Sequence, residues 1–164
     1  MVQKAPALLP ETILLVISFA MIVVDANVVL SALRSRHGAA NRVLLGMLSG
    51  EFAFAISPSI VLEYEDVLKR PGMLGTSPWI EPSQIDVVLD ALCGCAKLVE
   101  PWLKFRPLLD DPKDDPYIDC ALASGASVIL SRDKHFRHPA VAAFGLRIMS
   151  AGEFLADKVR SISS

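Results

Sequence analysis

The stretch DPKDDPYIDCALASGASVILSRDKHF, residues 111–136, places five aspartates around one short apolar segment. Its pattern predicts a loop at 111–113, a helix from about Asp114 to Ser124, a strand from Ser127 to Leu130 and a turn that begins at Ser131. Clustered carboxylates repel one another, so a fold keeps them only where their charge is compensated. A bound divalent cation is one such compensation.

The rest of the chain repeats this alternation of strand and helix. Residues 22–24 form a short β-branched run typical of a buried parallel strand, and FAFAIS, residues 52–57, predicts a second strand. Ser57 is expected to cap a helix that has Pro58 at its first position. Further helices are expected at 28–35, 39–50 and 82–95, and short strands at 96–100 and 146–150. A last helix is expected to open with the capping box of residues 150–153. Together these elements predict an α/β fold with a central parallel sheet.

Length and composition favour one globular domain. The chain has 164 residues, of which 52% are hydrophobic and 21% charged, and this balance is typical of a folded protein with a sizeable core. A net charge of −2 excludes binding to nucleic acid through a strong overall positive field. Two local basic clusters remain, which are either solvated surface or contacts for an anionic substrate: Arg34, Arg36, His37 and Arg42, and Arg132, Lys134, His135, Arg137 and His138.

The N-terminal segment is apolar, but it is short for a membrane span. The run ILLVISFAMIVV, residues 13–24, is interrupted by Asp25, whereas a span needs roughly twenty apolar residues. A signal peptide is the alternative interpretation. We expect residues 1–20 to be an extension, residues 21–157 the domain and residues 158–164 a tail. Because the apolar run is short, no membrane association is expected. Three cysteines without disulfide or zinc spacing indicate a reducing, cytoplasmic location.

Four acids from four segments are expected to meet at one edge of the sheet. Asp25 follows the first strand, Asp133 closely follows the strand that ends at Leu130, and Asp115 opens the helix before that strand; Glu63 lies in the helix after the second strand. Parallel sheets gather functional groups at the carboxyl ends of their strands. Three of these acids have a plainer interpretation when taken alone: Asp115 as a helix cap, Asp133 as a turn former and Glu63 as a solvated helix residue. Asp25 is harder to explain in this way, because it interrupts an apolar run and has no local charge partner. Jointly they favour a metal site, and hard oxygen ligands select Mg²⁺ or Mn²⁺.

Three motifs resemble those of the PIN-domain nucleases, and in particular those assigned as toxins of bacterial toxin–antitoxin systems (VapC-like). The motifs are IVVDANVVLSAL (22–33), ISPSIVLEYEDVLKRP (56–71) and DDPYIDCALASGASVILSRDKHF (114–136), and the resemblance spans about residues 21–155. It implies a three-layer α/β/α sandwich. It also implies metal-dependent hydrolysis of RNA that leaves a 5′-phosphate end.

The resemblance also implies roles for individual residues. The catalytic, metal-binding acids correspond to Asp25, Glu63, Asp115 and Asp133. Asp114 is the alternative third ligand; Asp115 is preferred because the apolar spacing at 118 and 121 then agrees with the family. Ala26 departs from the family, in which Thr or Ser is frequent. The expected auxiliary residues are Asn27 and Ser131, and the expected RNA contacts are Arg34, Arg36, Arg42, Arg132 and Lys134.

The implied partners are an RNA substrate, a second copy of the chain in a homodimer, and an antitoxin protein. No motif reads bases, so the RNA target does not follow from the sequence. The sequence also does not decide between one and two metal ions. Two other functions remain open. A haloacid dehalogenase-type phosphatase would need a second aspartate at position 27, where this chain has Asn27. A catalytically inactive PIN-fold module that binds RNA or a partner is the other.

Overall fold

The computed structural model describes residues 21–102 and 115–162, and these form an α/β fold. The expected extension at 1–20, the loop at 111–113 and Asp114 lie outside the described residues. The strands are β1 (Ile22–Val24), β2 (Ala55–Ile56), β3 (Lys97–Leu98), β4 (Val128–Leu130) and β5 (Arg147–Met149). The helices are α1 (Ala26–Arg34), α2 (Ala39–Leu48), α3 (Pro58–Lys69), α4 (Ile85–Cys95), α5 (Asp115–Ser124), α6 (Pro139–Ala143) and α7 (Ala151–Ile162).

The described strands pair in parallel. β1, β4 and β5 form one sheet in that spatial order, with Val24 opposite Leu130 and Leu130 opposite Met149. β2 pairs with β3, and a parallel bridge from Ile22 to Phe54 joins this pair to β1. The spatial order is therefore β3-β2-β1-β4-β5. All five carboxyl ends face the same edge, so residues that follow β1 and β4 are neighbours there.

The core lies between the sheet and the helices. β1 and β4 are completely buried, as expected for the central strands of a covered parallel sheet. α5 packs directly on β1, β2 and β4, while α2 packs on α1 and α7, and α3 packs on α1 and α4. In α3 the apolar positions Ile60, Tyr64 and Leu68 are buried, so the helix presents one face to the core. Among the described residues, no helix is both long and apolar enough to cross a membrane.

Local sequence signals located the starts of α3 and α7 correctly. Ser57 caps α3 by accepting a hydrogen bond from the backbone N–H of Ile60, with Pro58 at the first position as expected. Ser150 and Glu153 exchange hydrogen bonds between side chain and backbone, which confirms the capping box at the start of α7. α7 continues to Ile162, so the expected domain boundary at 157 falls inside this helix.

The sequence interpretation missed two short elements after β4. A 3₁₀ turn spans Lys134–Arg137 and α6 spans Pro139–Ala143, where only a turn was expected. The His138 side chain caps α6 by accepting a hydrogen bond from the backbone N–H of Ala140 through Nδ1. Histidine is not among the residues that usually cap helices, so this start carried little local signal.

Two helical glycines differ in what surrounds them, and we expect opposite effects on substitution by alanine. A Cβ at Gly46 in α2 would lie 2.3 Å from Cδ2 of the buried Phe52, whereas a Cβ at Gly94 in α4 would meet no atom within 4 Å. Gly94→Ala should raise the free energy of unfolding by about 0.5–1 kcal/mol through helix propensity. Gly46→Ala should lower it by about 1–2 kcal/mol, because overpacking exceeds that gain. Urea unfolding measures both, and equal gains at the two sites would contradict the packing described for Phe52.

Candidate active site at the carboxyl edge of the sheet

Asp25 occupies the junction at which β1 becomes α1. It is the N-cap of α1, and its Oδ1 accepts a hydrogen bond from the backbone N–H of Asn27 at 3.1 Å. Its own N–H donates to the Leu130 carbonyl at 2.9 Å, which continues the pairing of β1 with β4. Only 4% of the residue is exposed, so the fold holds a carboxylate almost entirely out of water. Such burial is costly unless the charge is compensated.

A serine connects the acids that follow the two central strands. The Ser131 hydroxyl donates to Oδ2 of Asp25 at 2.7 Å, and its oxygen accepts a hydrogen bond from the backbone N–H of Asp133 at 2.9 Å. Ser131 is buried, and it directly follows β4. The side chain of Asp133 caps the 3₁₀ turn by accepting from the His135 N–H at 3.0 Å, and its Oδ1 lies 3.1 Å from His135 Nδ1. The structure therefore brings Asp25, Ser131 and Asp133 together.

The surroundings of Asp25 disfavour its charge. Burial raises the pKa of Asp25, and the nearby charge of Asp133 adds to the rise. The hydrogen bonds from Ser131 and Asn27 act in the opposite direction, yet the pKa stays above its ordinary value. An acid in this state gains from a nearby positive charge, because a cation would relieve both the desolvation and the repulsion.

Glu63 reaches the same region from α3. Burial raises the pKa of Tyr64 most, and the charges of Asp25 and Glu63 both raise it further, so the two acids act on one hydroxyl. Glu63 and Asn27 also line a common cleft of about 410 Å³, together with Pro116 at the start of α5. Asn27 is exposed there, and its auxiliary role stays a prediction.

α5 begins at Asp115, next to the Pro116 that lines the cleft. The backbone therefore brings the third acid-bearing segment to the site; Asp114 lies outside the described residues. Among the side chains that the structure describes, no three from His, Cys, Asp and Glu are grouped so that they could hold a metal ion. The structure therefore shows that the acid-bearing segments approach one another, and the side chain of Asp115 lies outside the described part.

The basic residues have two different settings. In the first cluster, Arg34 donates to the Met73 carbonyl and Arg36 lies over the Trp79 ring at 5.4 Å. Arg42 forms an ion pair with Glu51 at 2.7 Å. Arg132 and Lys134 are exposed on either side of Asp133. The second cluster is therefore next to the acids, while the first has contacts within the chain; RNA contact stays a prediction for both.

Sequence reasoning missed two polar groups that contact the junction. The Tyr64 hydroxyl donates to the Val24 carbonyl, and the Tyr117 hydroxyl accepts a hydrogen bond from the Ala26 N–H at 3.1 Å. Buried tyrosine hydroxyls usually require a hydrogen-bond partner, and this was the signal available in the sequence.

The part of the chain that contains these residues matches a known domain family. The profile described as PIN domain matches residues 21–135, from the residue before β1 to just beyond Asp133. The chain belongs to the PIN domain family. PIN domains are generally nucleases. This PIN domain is also similar to the crystal structure of VapBC2 from Rickettsia felis bound to a DNA fragment from their promoter, with 15% identity and a TM-score of 0.48. That similarity covers 79% of this chain and 98% of the other. No curated protein sequence matches significantly.

We expect Asp25→Asn to stabilise this PIN domain at neutral pH when divalent cations are removed. An acid whose pKa is raised on folding stabilises the fold below its ordinary pKa of 3.8, and that contribution is lost as the pH rises through the raised value. The variant avoids this loss, so its advantage over the wild type should shrink toward about pH 4.

Urea unfolding in EDTA at several pH values measures this difference. The control is Asp157→Asn. It alters a half-exposed carboxylate on α7 that pairs with Arg147, and it should change the free energy of unfolding by about 0.5 kcal/mol or less. If Asp25→Asn were less stable than the wild type at neutral pH, the hydrogen bonds of the carboxylate would outweigh its desolvation.

Proposed function

We propose that the protein is a metal-dependent endoribonuclease that hydrolyses RNA phosphodiester bonds, and that it is the toxin of a toxin–antitoxin pair. The observation that carries the nuclease proposal is the buried Asp25 carboxylate, linked through Ser131 to Asp133 in a chain of the PIN domain family. The proposed catalytic and metal-binding residues are Asp25, Glu63, Asp115 and Asp133. Asn27 and Ser131 are proposed as auxiliaries.

The donor set fits a hard divalent cation. The four proposed ligands offer only carboxylate oxygens, which Mg²⁺ and Mn²⁺ prefer over softer ligands. Asp25 accepts one hydrogen bond at each oxygen, and a carboxylate has further lone pairs available for a cation. Mg²⁺ or Mn²⁺ would supply an activated water and offset the negative charge that develops on the phosphoryl oxygens.

Residues of the chain would orient the Asp25 carboxylate and attract the RNA. The N–H of Asn27 and the hydroxyl of Ser131 fix the orientation of the Asp25 carboxylate, so little reorganisation is needed when charge develops. Arg132 and Lys134, which are exposed on either side of Asp133, would hold phosphates of the RNA backbone. This attraction is needed because acids at the site repel RNA until their charge is offset. Because the nucleophile is a water, no Ser, Cys or His nucleophile is required.

We expect cleavage of a mixed RNA pool in Mg²⁺ or Mn²⁺ and none in EDTA. Asp25→Asn, Glu63→Gln, Asp115→Asn and Asp133→Asn should each slow cleavage about a thousandfold, which corresponds to ~4 kcal/mol of transition-state stabilisation. Asp157→Asn, which changes the carboxylate on α7, should retain the wild-type rate. Gel analysis of product ends, with a phosphatase-sensitive 5′ end expected, measures the reaction.

Two outcomes would contradict this mechanism. Cutting that resists EDTA would exclude the metal, and unchanged cutting by Asp25→Asn would exclude the junction acid. If the wild-type protein bound RNA without cutting it in either metal, the chain would be a binding module with a PIN fold.

The toxin role rests on the resemblance of the three motifs to toxin PIN proteins, and it implies action on RNA in the cytoplasm. Induced expression should arrest bacterial growth, whereas expression of Asp25→Asn at an equal level should not. Coexpression of a protein encoded by an adjacent gene should restore growth if that protein is the antitoxin. Growth unaffected by an active nuclease would refute the toxin role.

We propose a homodimer because large apolar side chains remain exposed on and beyond α4. Val87 is 67% exposed and Trp102 is 96% exposed. Light scattering at micromolar concentration should give twice the monomer mass, and Val87→Lys should shift the equilibrium toward monomer by placing a charge in the interface. Val159→Lys, at a similarly exposed valine on α7, is the control. A wild-type monomer would refute the dimer.

A further inference from the structure

The chain contains two tyrosines, and both are buried with their hydroxyls bonded to the backbone on either side of Asp25. The Tyr64 hydroxyl donates to the carbonyl of Val24, and the Tyr117 hydroxyl accepts from the N–H of Ala26. Asp25 lies between these two groups. The Val24 carbonyl belongs to the peptide unit before Asp25, and the Ala26 N–H belongs to the peptide unit after it.

Holding these two peptide planes fixes the backbone of Asp25. The planes on either side of a residue define its φ and ψ, which are −67° and 142° for Asp25. These dihedrals set the direction of the Cα–Cβ bond, and therefore where the carboxylate can point. Ser131 and the Asn27 N–H then orient the carboxylate itself. The tyrosines thus act on the main chain, while the serine acts on the side chain.

Each tyrosine also belongs to a helix that carries another proposed ligand. Tyr64 follows Glu63 directly in α3, and Tyr117 lies two residues after Asp115 in α5. One hydroxyl therefore ties α3 to the β1–α1 junction, and the other ties α5 to it. Three segments that bear acids are connected at one point by two hydrogen bonds.

We propose that Tyr64 and Tyr117 are positioning residues of the metal site, which hold the backbone of Asp25 in register with the segments that bear Glu63 and Asp115. This inference rests on the proposed function. Tyr64 acts as a donor and Tyr117 as an acceptor, so neither role can be filled by phenylalanine. Partners that orient a ligand without touching the metal typically change metal affinity 10- to 100-fold when they are lost.

The first experiment compares Mn²⁺ affinity with stability in Tyr64→Phe and Tyr117→Phe. Asn41→Ala is the matched control: its amide donates to the Ala32 carbonyl at 3.0 Å, so it removes a buried side-chain-to-backbone hydrogen bond at the other end of α1. All three variants should unfold at lower urea concentration than the wild type. Only the tyrosine variants should bind Mn²⁺ about tenfold or more weakly, as followed by the electron paramagnetic resonance of free Mn²⁺.

RNA cleavage provides a second comparison within the same variants. A weakened metal site should regain much of its rate as the Mn²⁺ concentration is raised, whereas a partly unfolded protein should not. Both tyrosine variants are therefore expected to show cleavage that saturates at higher Mn²⁺ than in the wild type, and Asn41→Ala is expected to saturate at the wild-type concentration.

A further measurement needs no substitution. Because the chain has only two tyrosines, labelling with 3-fluorotyrosine gives two ¹⁹F resonances, one for each hydroxyl of interest. Both resonances should shift during a Mg²⁺ titration, with a common midpoint. The measurement reports on the junction even if one phenylalanine variant does not fold.

The outcomes separate this inference from the proposed function. If the wild type bound Mn²⁺ and cut RNA while both tyrosine variants bound Mn²⁺ as well as Asn41→Ala does, this inference alone would be overturned. Resonances that stay fixed while Mg²⁺ saturates the protein would likewise overturn it. A wild-type protein that binds neither Mn²⁺ nor Mg²⁺ would overturn the proposed metal site, and the positioning role with it.

Discussion

The burial of the Asp25 carboxylate at the end of a central strand is the constraint on which the site depends. A strand that is buried on both faces excludes water from the residue that follows it, so the acid relies on the protein for its hydrogen bonds. Ser131 and the Asn27 N–H provide them, and the tyrosine hydroxyls satisfy the peptide groups on either side. The hydrogen bonds that offset the cost of burying the Asp25 carboxylate also orient it.

The parallel pairing of β1 with β4 determines both the sheet and the position of the candidate site. A parallel sheet brings the carboxyl ends of β1 and β4 side by side, because Val24 and Leu130 are paired. Strand pairing alone therefore makes the residues just beyond these ends neighbours. Helix capping adds to this, because Asp25 and Asp133 each cap the element that follows. An aspartate that caps an element still has carboxylate lone pairs available for a cation, so the caps at Asp25 and Asp133 are compatible with the proposed metal site.

Local patterns predicted a hydrogen bond correctly where its donor and acceptor lie within one short stretch of sequence. The capping of α3 by Ser57 and the exchange between Ser150 and Glu153 depend on residues three positions apart, and both were predicted. The start of α6 was missed because His138 caps it. The contacts made by Tyr64 and Tyr117 were missed for another reason: they join groups 40 and 91 positions apart in the chain.

The sequence by itself determined the α/β class, the order of the strands and of the helices other than α6, and which acids follow which strands. It did so because hydrophobic period, capping residues and turn residues act over a few positions. Only the tertiary structure decided that Ser131 links Asp25 to Asp133, that the arginines at 34, 36 and 42 contact the chain itself, and that two tyrosines hold the junction. These depend on the pairing of β1 with β4 and on the packing of α3 and α5. Pairing and packing follow from burial of the whole core, which no single segment encodes.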